Sequence, residues 1–269
     1  MFLSTFQPSP VLLNLGFFQI RWYSIILILA ITSGFLVFLK MLSRAIPPKA
    51  GEPRDPVIFR QDNLFNLFFY IILFGIIGGR LVHILSFAKY YSQNLLEIFY
   101  IWNGGIAFYG VFISGLLVLF YFSKNIKNFL IFADAAIIGL SLAQSIGRWG
   151  NYFNQELFGK HCDYFFCVPI QNLSGHFHPV FLYESILMLL VFIILLFIFN
   201  KKYIIGLTSS LYLILHAIIR FFLEFLRLDI QPEFLNLRLF QYLAILELIV
   251  GIILLVFVKK WYNKKVISN

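Results

Sequence analysis

Two stretches of this chain hold side chains that could do chemistry. The first is Gly147–Lys160, GRWGNYFNQELFGK, which gathers an arginine, two asparagines, a glutamate and three glycines directly after an apolar run. The second is LILHAIIRFFLEFLR, in which His216, Arg220, Glu224 and Arg227 stand at i, i+4, i+8 and i+11. Helical spacing lines these four up on one face. Arg220 and Glu224 either pair along the helix or, since one acid cannot neutralise two arginines and an imidazolium, belong to a face that calls for an anion. Guanidinium grips phosphate in a forked geometry, so a lipid phosphate is the anion such a face would take.

The elements that must position these groups are membrane spans. The chain is 61% hydrophobic and 12% charged over 269 residues, too little charge for a soluble surface. Apolar runs recur throughout, and the expected fold is an all-α polytopic membrane protein, a single transmembrane domain over residues 1–269. Seven spans are expected, at roughly 20–42, 64–88, 104–123, 129–148, 178–199, 203–226 and 239–258, each near the ~20 residues that cross a bilayer. The first is not a cleaved signal peptide: it lacks a basic start and has Lys40 and Arg44 at its far end. No internal repeat is visible.

The net charge of +9 does not point to nucleic acid, because the basic residues are scattered over several loops without stacking aromatics. They read as a topology signal. Thirteen (Lys40, Arg44, Lys49, Arg54, Arg60, Lys124, Lys127, Lys201, Lys202, Lys259, Lys260, Lys264 and Lys265) fall on one side of the spans. Six (Arg21, Lys89, Arg148, Lys160, Arg227 and Arg238) fall on the other. The positive-inside rule then puts the N-terminus outside and the C-terminus in the cytoplasm. The loop 149–177 becomes a small outer-face head. Its Cys162 and Cys167 are either a local disulfide, which an oxidising outer compartment permits, or two idle thiols. No His, Cys or acid cluster has metal-ligand spacing.

A charge at the centre of a span costs about 3 kcal/mol, so the remaining intramembrane polar groups need reasons. Arg80 follows Gly78-Gly79 and is either an ion-pair partner of Asp134 or Glu184, or part of a site. The glycines let a backbone or a headgroup come close. Gly104-Gly105 at the third span's entrance is either a re-entrant turn or a plain loop. Glu184, a turn into the fifth span, needs a partner.

Taken together, these stretches resemble the prolipoprotein diacylglyceryl transferases. That family's signature runs G-R-x-G-N-[FY]-x-N-x-E-x-x-G, filled here by Gly147, Arg148, Gly150, Asn151, Tyr152, Asn154, Glu156 and Gly159. The likeness extends, in order, to RWYS (Arg21–Ser24), GGR (Gly78–Arg80), WNGGIAFYG (Trp102–Gly110), HPVFLYE (His178–Glu184) and RFFLEFLR (Arg220–Arg227). It implies a seven-span enzyme of the bacterial plasma (inner) membrane. Such an enzyme moves the diacylglyceryl group of phosphatidylglycerol onto the cysteine thiol of a prolipoprotein signal peptide. A thioether forms and glycerol phosphate leaves, the first step of lipoprotein maturation, with no cofactor. It further implies that Tyr23, Arg148, Asn151, Asn154, Glu156, Gly159, Arg220, Glu224 and Arg227 stand at functional positions.

Two positions depart from the family pattern. Tyr109 stands where many members have His, and His216 stands where a Tyr is usual. The exchange raises the expectation that both side chains face one cavity and that the proton-handling role can sit on either wall. His216 is the expected base, with Tyr109 orienting the thiol or relaying its proton. Arg148, Arg220 and Arg227 are expected to hold the phosphate, Asn151 and Asn154 the headgroup hydroxyls. Glu156 and Glu224 are expected to hold arginines. Tyr23 and Arg80 complete the expected binding set.

Overall fold

The computed structural model describes residues 5–16, 19–46, 61–101, 104–201, 203–228 and 233–267, with the backbone alone at 61–63, 108–109 and 264–267. Trp102 and Asn103 of the third span's entrance lie outside the described residues. The long helices are α1 (Trp22–Ala45), α2 (Gln61–Ser86), α3 (Phe108–Ser123), α4 (Ile126–Phe153), α5 (Val180–Lys201), α6 (Leu207–Leu223) and α7 (Leu239–Ile267). Six are long and apolar enough to cross a membrane. The exception is α3, whose 16 residues span about 24 Å at the α-helical rise, short of a hydrocarbon core of about 30 Å. The expected third span began at residue 104; residues 104–107 are instead non-helical. The chain forms two compact units, residues 1–42 with 134–269, and residues 43–133.

In the larger unit, small residues set the helix contacts. A Cβ on Gly34 of α1 would lie 2.8 Å from the Gly139 carbonyl of α4 and 3.0 Å from Ala143 Cβ, the close backbone approach that small residues permit between membrane helices. α4 and α5 are joined by reciprocal hydrogen bonds. Ser145 Oγ donates to the Ser185 carbonyl and Ser185 Oγ to the Ser145 carbonyl, both at 2.8 Å. Arg148 is one turn on from Ser145, and Glu184 adjoins Ser185, so this seam brings the two charged groups together.

The start of α6 is anchored to α4 by Asp134. Its carboxylate accepts from the Gly206 amide at 2.6 Å, the Ser209 amide at 2.8 Å and Ser209 Oγ at 2.7 Å, satisfying donors that a helix N-terminus leaves open. Beside it, burial and then the charge of Asp134 push the Tyr203 phenol above its ordinary range. The faces turned from these contacts are apolar: Ile186, Leu190, Ile193 and Phe197 of α5 are all exposed, as lipid contact requires.

Between α4 and α5 lies a small head. Two short antiparallel strands, β1 (Val168–Pro169) and β2 (His176–Phe177), pair within it, and Cys162 is disulfide-bonded to Cys167. Tyr152, Val168, Ile170, Phe177 and Phe181 form its buried core. The Tyr152 hydroxyl donates to the Phe6 carbonyl at 3.2 Å. Gln171 Nε2 donates to the Pro8 carbonyl at 3.2 Å. The chain's first described residues are thereby tied to the head.

In the smaller unit, α2 and α3 cross at glycines. A Cβ on Gly110 would sit 2.1 Å from the Gly78 carbonyl, so it is backbone that approaches the Gly78-Gly79 pair there. Arg80 is only 7% exposed, and within its own unit backbone carbonyls surround it. Its guanidinium donates to the carbonyls of Ile98 (2.9 Å), Gly104 (2.8 Å), Gly105 (3.2 Å) and Glu97, and it lies over the Tyr91 ring. Gly104 and Gly105, at φ 87° and 78°, adopt the left-handed backbone that turns their carbonyls around it. An ion pair is not the only way to satisfy a buried arginine: five N–H donors can be met by carbonyls alone.

Candidate active site

The signature stretch is helical further than its glycines suggest. α4 runs through Gly147 and Gly150 to Phe153, so these glycines do not end the helix. Gly150 instead makes room for Tyr23: a Cβ there would meet the Tyr23 ring at 2.8 Å. The neighbouring Trp22 stacks on Phe153, with centroids 4.9 Å apart. The start of α1 therefore closes over the end of α4.

Beyond the helix the chain turns sharply. Gln155 and Leu157 both have φ of 56°, a strained backbone for residues with a Cβ. Glu156 between them is held by both signature asparagines. Asn151 Nδ2 donates to its carboxylate at 3.2 Å, Asn154 Nδ2 at 3.3 Å, and the Glu156 amide returns a bond to the Asn151 carbonyl at 2.8 Å. Glu156 was expected to hold an arginine; it holds the asparagines. Gly159 closes the stretch where three segments converge. A Cβ there would lie 2.7 Å from the Leu226 carbonyl, 2.9 Å from Val180 and 3.1 Å from His178. Its amide donates to the His178 carbonyl at 2.8 Å.

The arginines gather where α4, α5, α6 and the start of α7 meet. Arg148 is hydrogen-bonded to Glu184, which is 2% exposed. Arg220 reaches the other oxygen of Glu184 at 3.7 Å and Glu224 at 3.4 Å, and its guanidinium lies over Phe240. Glu224, fully buried, also has Arg227 at 3.9 Å and Arg238 at 3.0 Å. Arg148, Arg220, Glu224 and Arg227 are thus brought together as expected, around two buried carboxylates. Two guanidinium groups share Glu184. Arg148 remains 25% exposed, and its Nε takes no hydrogen bond among the described residues.

Two partners, Arg238 and Glu247, escaped the sequence reading. Arg238 was counted only as a loop charge. Gln144 accepts from the Tyr212 hydroxyl at 2.8 Å. Glu247 meets His216, with Oε1 2.9 Å from Nδ1. A carboxylate inside an apolar span is itself a signal, and Glu247 carried it. The side chain of Tyr109 lies outside the described residues.

Comparison with known proteins decides the family. The family model described as prolipoprotein diacylglyceryl transferase matches residues 10–257. The chain belongs to the prolipoprotein diacylglyceryl transferase family. A phosphatidylglycerol–prolipoprotein diacylglyceryl transferase of Streptococcus mutans serotype c is 36% identical over 258 residues, 92% of this chain and 94% of the relative. One of Staphylococcus aureus strain Newman is 37% identical over 273 residues, 97% of this chain and 93% of the relative. Prolipoprotein diacylglyceryl transferase membership thus extends over nearly the whole chain, so the arginine cluster and the signature turn are to be understood as parts of one such protein.

Proposed function

We infer that this chain transfers the diacylglyceryl group of phosphatidylglycerol to the cysteine thiol of prolipoprotein signal peptides, releasing glycerol phosphate. The observation that carries the site assignment is the sharing of one buried carboxylate, Glu184, by Arg148 and Arg220. Such a pair keeps positive charge in a low-dielectric place. Preorganised cations aimed at a phosphate stabilise the charge that builds on it as the C–O bond breaks. Glu184 and Glu224 fix the guanidinium groups beforehand, so little reorganisation is needed at the moment of reaction.

In this reading Arg148, Arg220 and Arg227 grip the phosphate. The turn held by Asn151, Asn154, Glu156 and Gly159 shapes the headgroup subsite, with Tyr23 over Gly150 as its cover. His216 takes the thiol proton, since the thiolate is the nucleophile. Tyr109 and Arg80 are the remaining members of the proposed set. The product bears two acyl chains, which anchor a protein stably where one chain is marginal.

The chain spans the bacterial plasma membrane seven times, α3 included, with its N-terminus outside and the 149–177 head on the outer face. Two observations support this orientation: the thirteen-to-six division of basic residues, and the Cys162–Cys167 disulfide, a bond that persists in oxidising compartments.

The test uses purified protein with phosphatidylglycerol and a cysteine-containing signal peptide. Lipidated peptide and glycerol phosphate should appear together, in equal amounts. Glycerol phosphate released without peptide would instead mark a headgroup hydrolase, and lipid movement without bond cleavage a transporter.

A further inference from the structure

The seam between α6 and α7 holds a polar cluster that phosphate binding does not use. His216 Nδ1 lies 2.9 Å and 3.0 Å from the two carboxylate oxygens of Glu247. Tyr212, one turn earlier on α6, lies flat against the imidazole, with centroids 5.3 Å apart and planes within 9°. The Tyr212 hydroxyl is fixed in turn by Gln144 of α4. The ring is therefore held on its face and at one nitrogen. A carboxylate can only accept, so Nδ1 must carry the proton in this pair, and the neutral ring keeps its lone pair on Nε2.

His216 also lies beside the anion site. Arg220 follows it by one turn on the same helix face, and Glu184, the acid that Arg148 and Arg220 share, is within electrostatic reach of the imidazole. Among the described residues, Glu247 from α7 and Tyr212 from α6 lie against the ring, Arg220 stands one turn along α6, and Glu184 of α5 is within electrostatic reach.

We propose that Glu247 is a positioning residue for the transfer: it fixes the Nδ1–H tautomer of His216, presents Nε2 to the substrate thiol and holds the imidazolium that forms. The proposal rests on the transferase function inferred above. Nε2 takes the S–H proton, and the sulfur electron pair forms the C–S bond to the glyceryl carbon. The C–O bond to phosphate breaks, and its electron pair leaves with glycerol phosphate. The imidazolium then returns its proton to the departing phosphate, so the ring ends neutral and the charge balances. A carboxylate orienting a catalytic imidazole in this way is a general device, and its loss commonly costs about 10- to 100-fold or more.

The experiment uses the full chain in detergent with phosphatidylglycerol and a cysteine-containing signal peptide. Glu247→Gln should lower kcat at least about tenfold while the KM for phosphatidylglycerol stays within about twofold, and Glu247→Asp should recover most of the loss. In 15N-histidine-labelled protein the His216 ring should show the Nδ1–H tautomer, and Glu247→Ala should turn it into a mixture. An unaltered kcat in Glu247→Gln overturns the proposal, as does an Nε2–H tautomer in the wild type. The wild-type spectrum decides by itself if the variants do not accumulate. Failure of the transferase reading looks different: the unaltered protein would make no lipidated peptide, whatever its tautomer.

Discussion

Arg238 lies 3.0 Å from the buried carboxylate of Glu224, joining the approach to α7 to the short turn Glu224–Leu226 that follows α6. The same guanidinium donates to the backbone carbonyls of Glu224 and Arg227, each at 3.0 Å. Gln241 of α7 locks the arrangement by accepting from the Arg238 amide at 2.9 Å. Arg238 therefore fixes both the acid and the backbone that present Arg227.

Truncating Arg238 should act on stability and activity together. Breaking a buried ion pair from one side costs about 3–5 kcal/mol. Arg238→Ala should lower the detergent unfolding midpoint clearly and reduce transfer; Arg238→Lys, which keeps the charge but loses the forked geometry, should recover only part of each. Thermal unfolding followed beside the transfer assay reads both.

Arg148→Ala and Arg220→Ala should abolish transfer while leaving a folded, inserted protein. The two arginines share Glu184, so each removal leaves that acid one guanidinium. Glu184→Gln should also be inactive, because it releases both arginines at once. Full activity in either arginine variant would remove the phosphate from this site. Glycerol phosphate release and a size-exclusion profile are the two measurements.

The glycines of the signature should separate by geometry. Gly159→Ala must push aside the Leu226 carbonyl and Val180, and should cost stability and activity. Gly150→Ala meets the Tyr23 ring at 2.8 Å and should displace it. A Cβ on Gly147 meets nothing within 4 Å, so Gly147→Ala should raise helix stability by up to about 1 kcal/mol. Unfolding midpoints of the three variants check the order.

His216→Ala should slow transfer more than Tyr109→Phe. The opposite order of rates would move the proton acceptor to α3.

Arg80→Ala should destabilise its unit, since it leaves four carbonyls without their donor. Proteolysis of the 87–105 segment, compared with wild type, would show the loosening.

The sequence made the arginine cluster legible because its members lie at helical spacing or inside one long polar signature. Glu184 declared itself as an acid in need of a partner, and Arg148 is that partner. Partners brought in by tertiary contact were harder to see. Arg238 stands at a loop-to-helix junction, where a basic residue has an ordinary explanation. Glu247 is one acid in a long apolar helix, and the rule that exposed Arg80 and Glu184 as anomalies applied to it equally. For Arg80 the sequence suggested an acid as one remedy for burial, and backbone carbonyls supply another that no sequence pattern announces. Asp134 meanwhile found its donors in two backbone amides and a serine hydroxyl. Glycines do not by themselves mark a helix end: α4 runs through Gly147 and Gly150, the latter a contact point for Tyr23, and the turn comes later, at Gln155 and Leu157.

Both cysteines of the chain are locked to one another. An alkylating centre built to modify sulfur thus sits in a protein that offers it none, and self-modification has no acceptor. The same fact makes the wild-type background silent to maleimide reagents. A single cysteine introduced into any loop will report, by its labelling from one side of the membrane, where that loop resides.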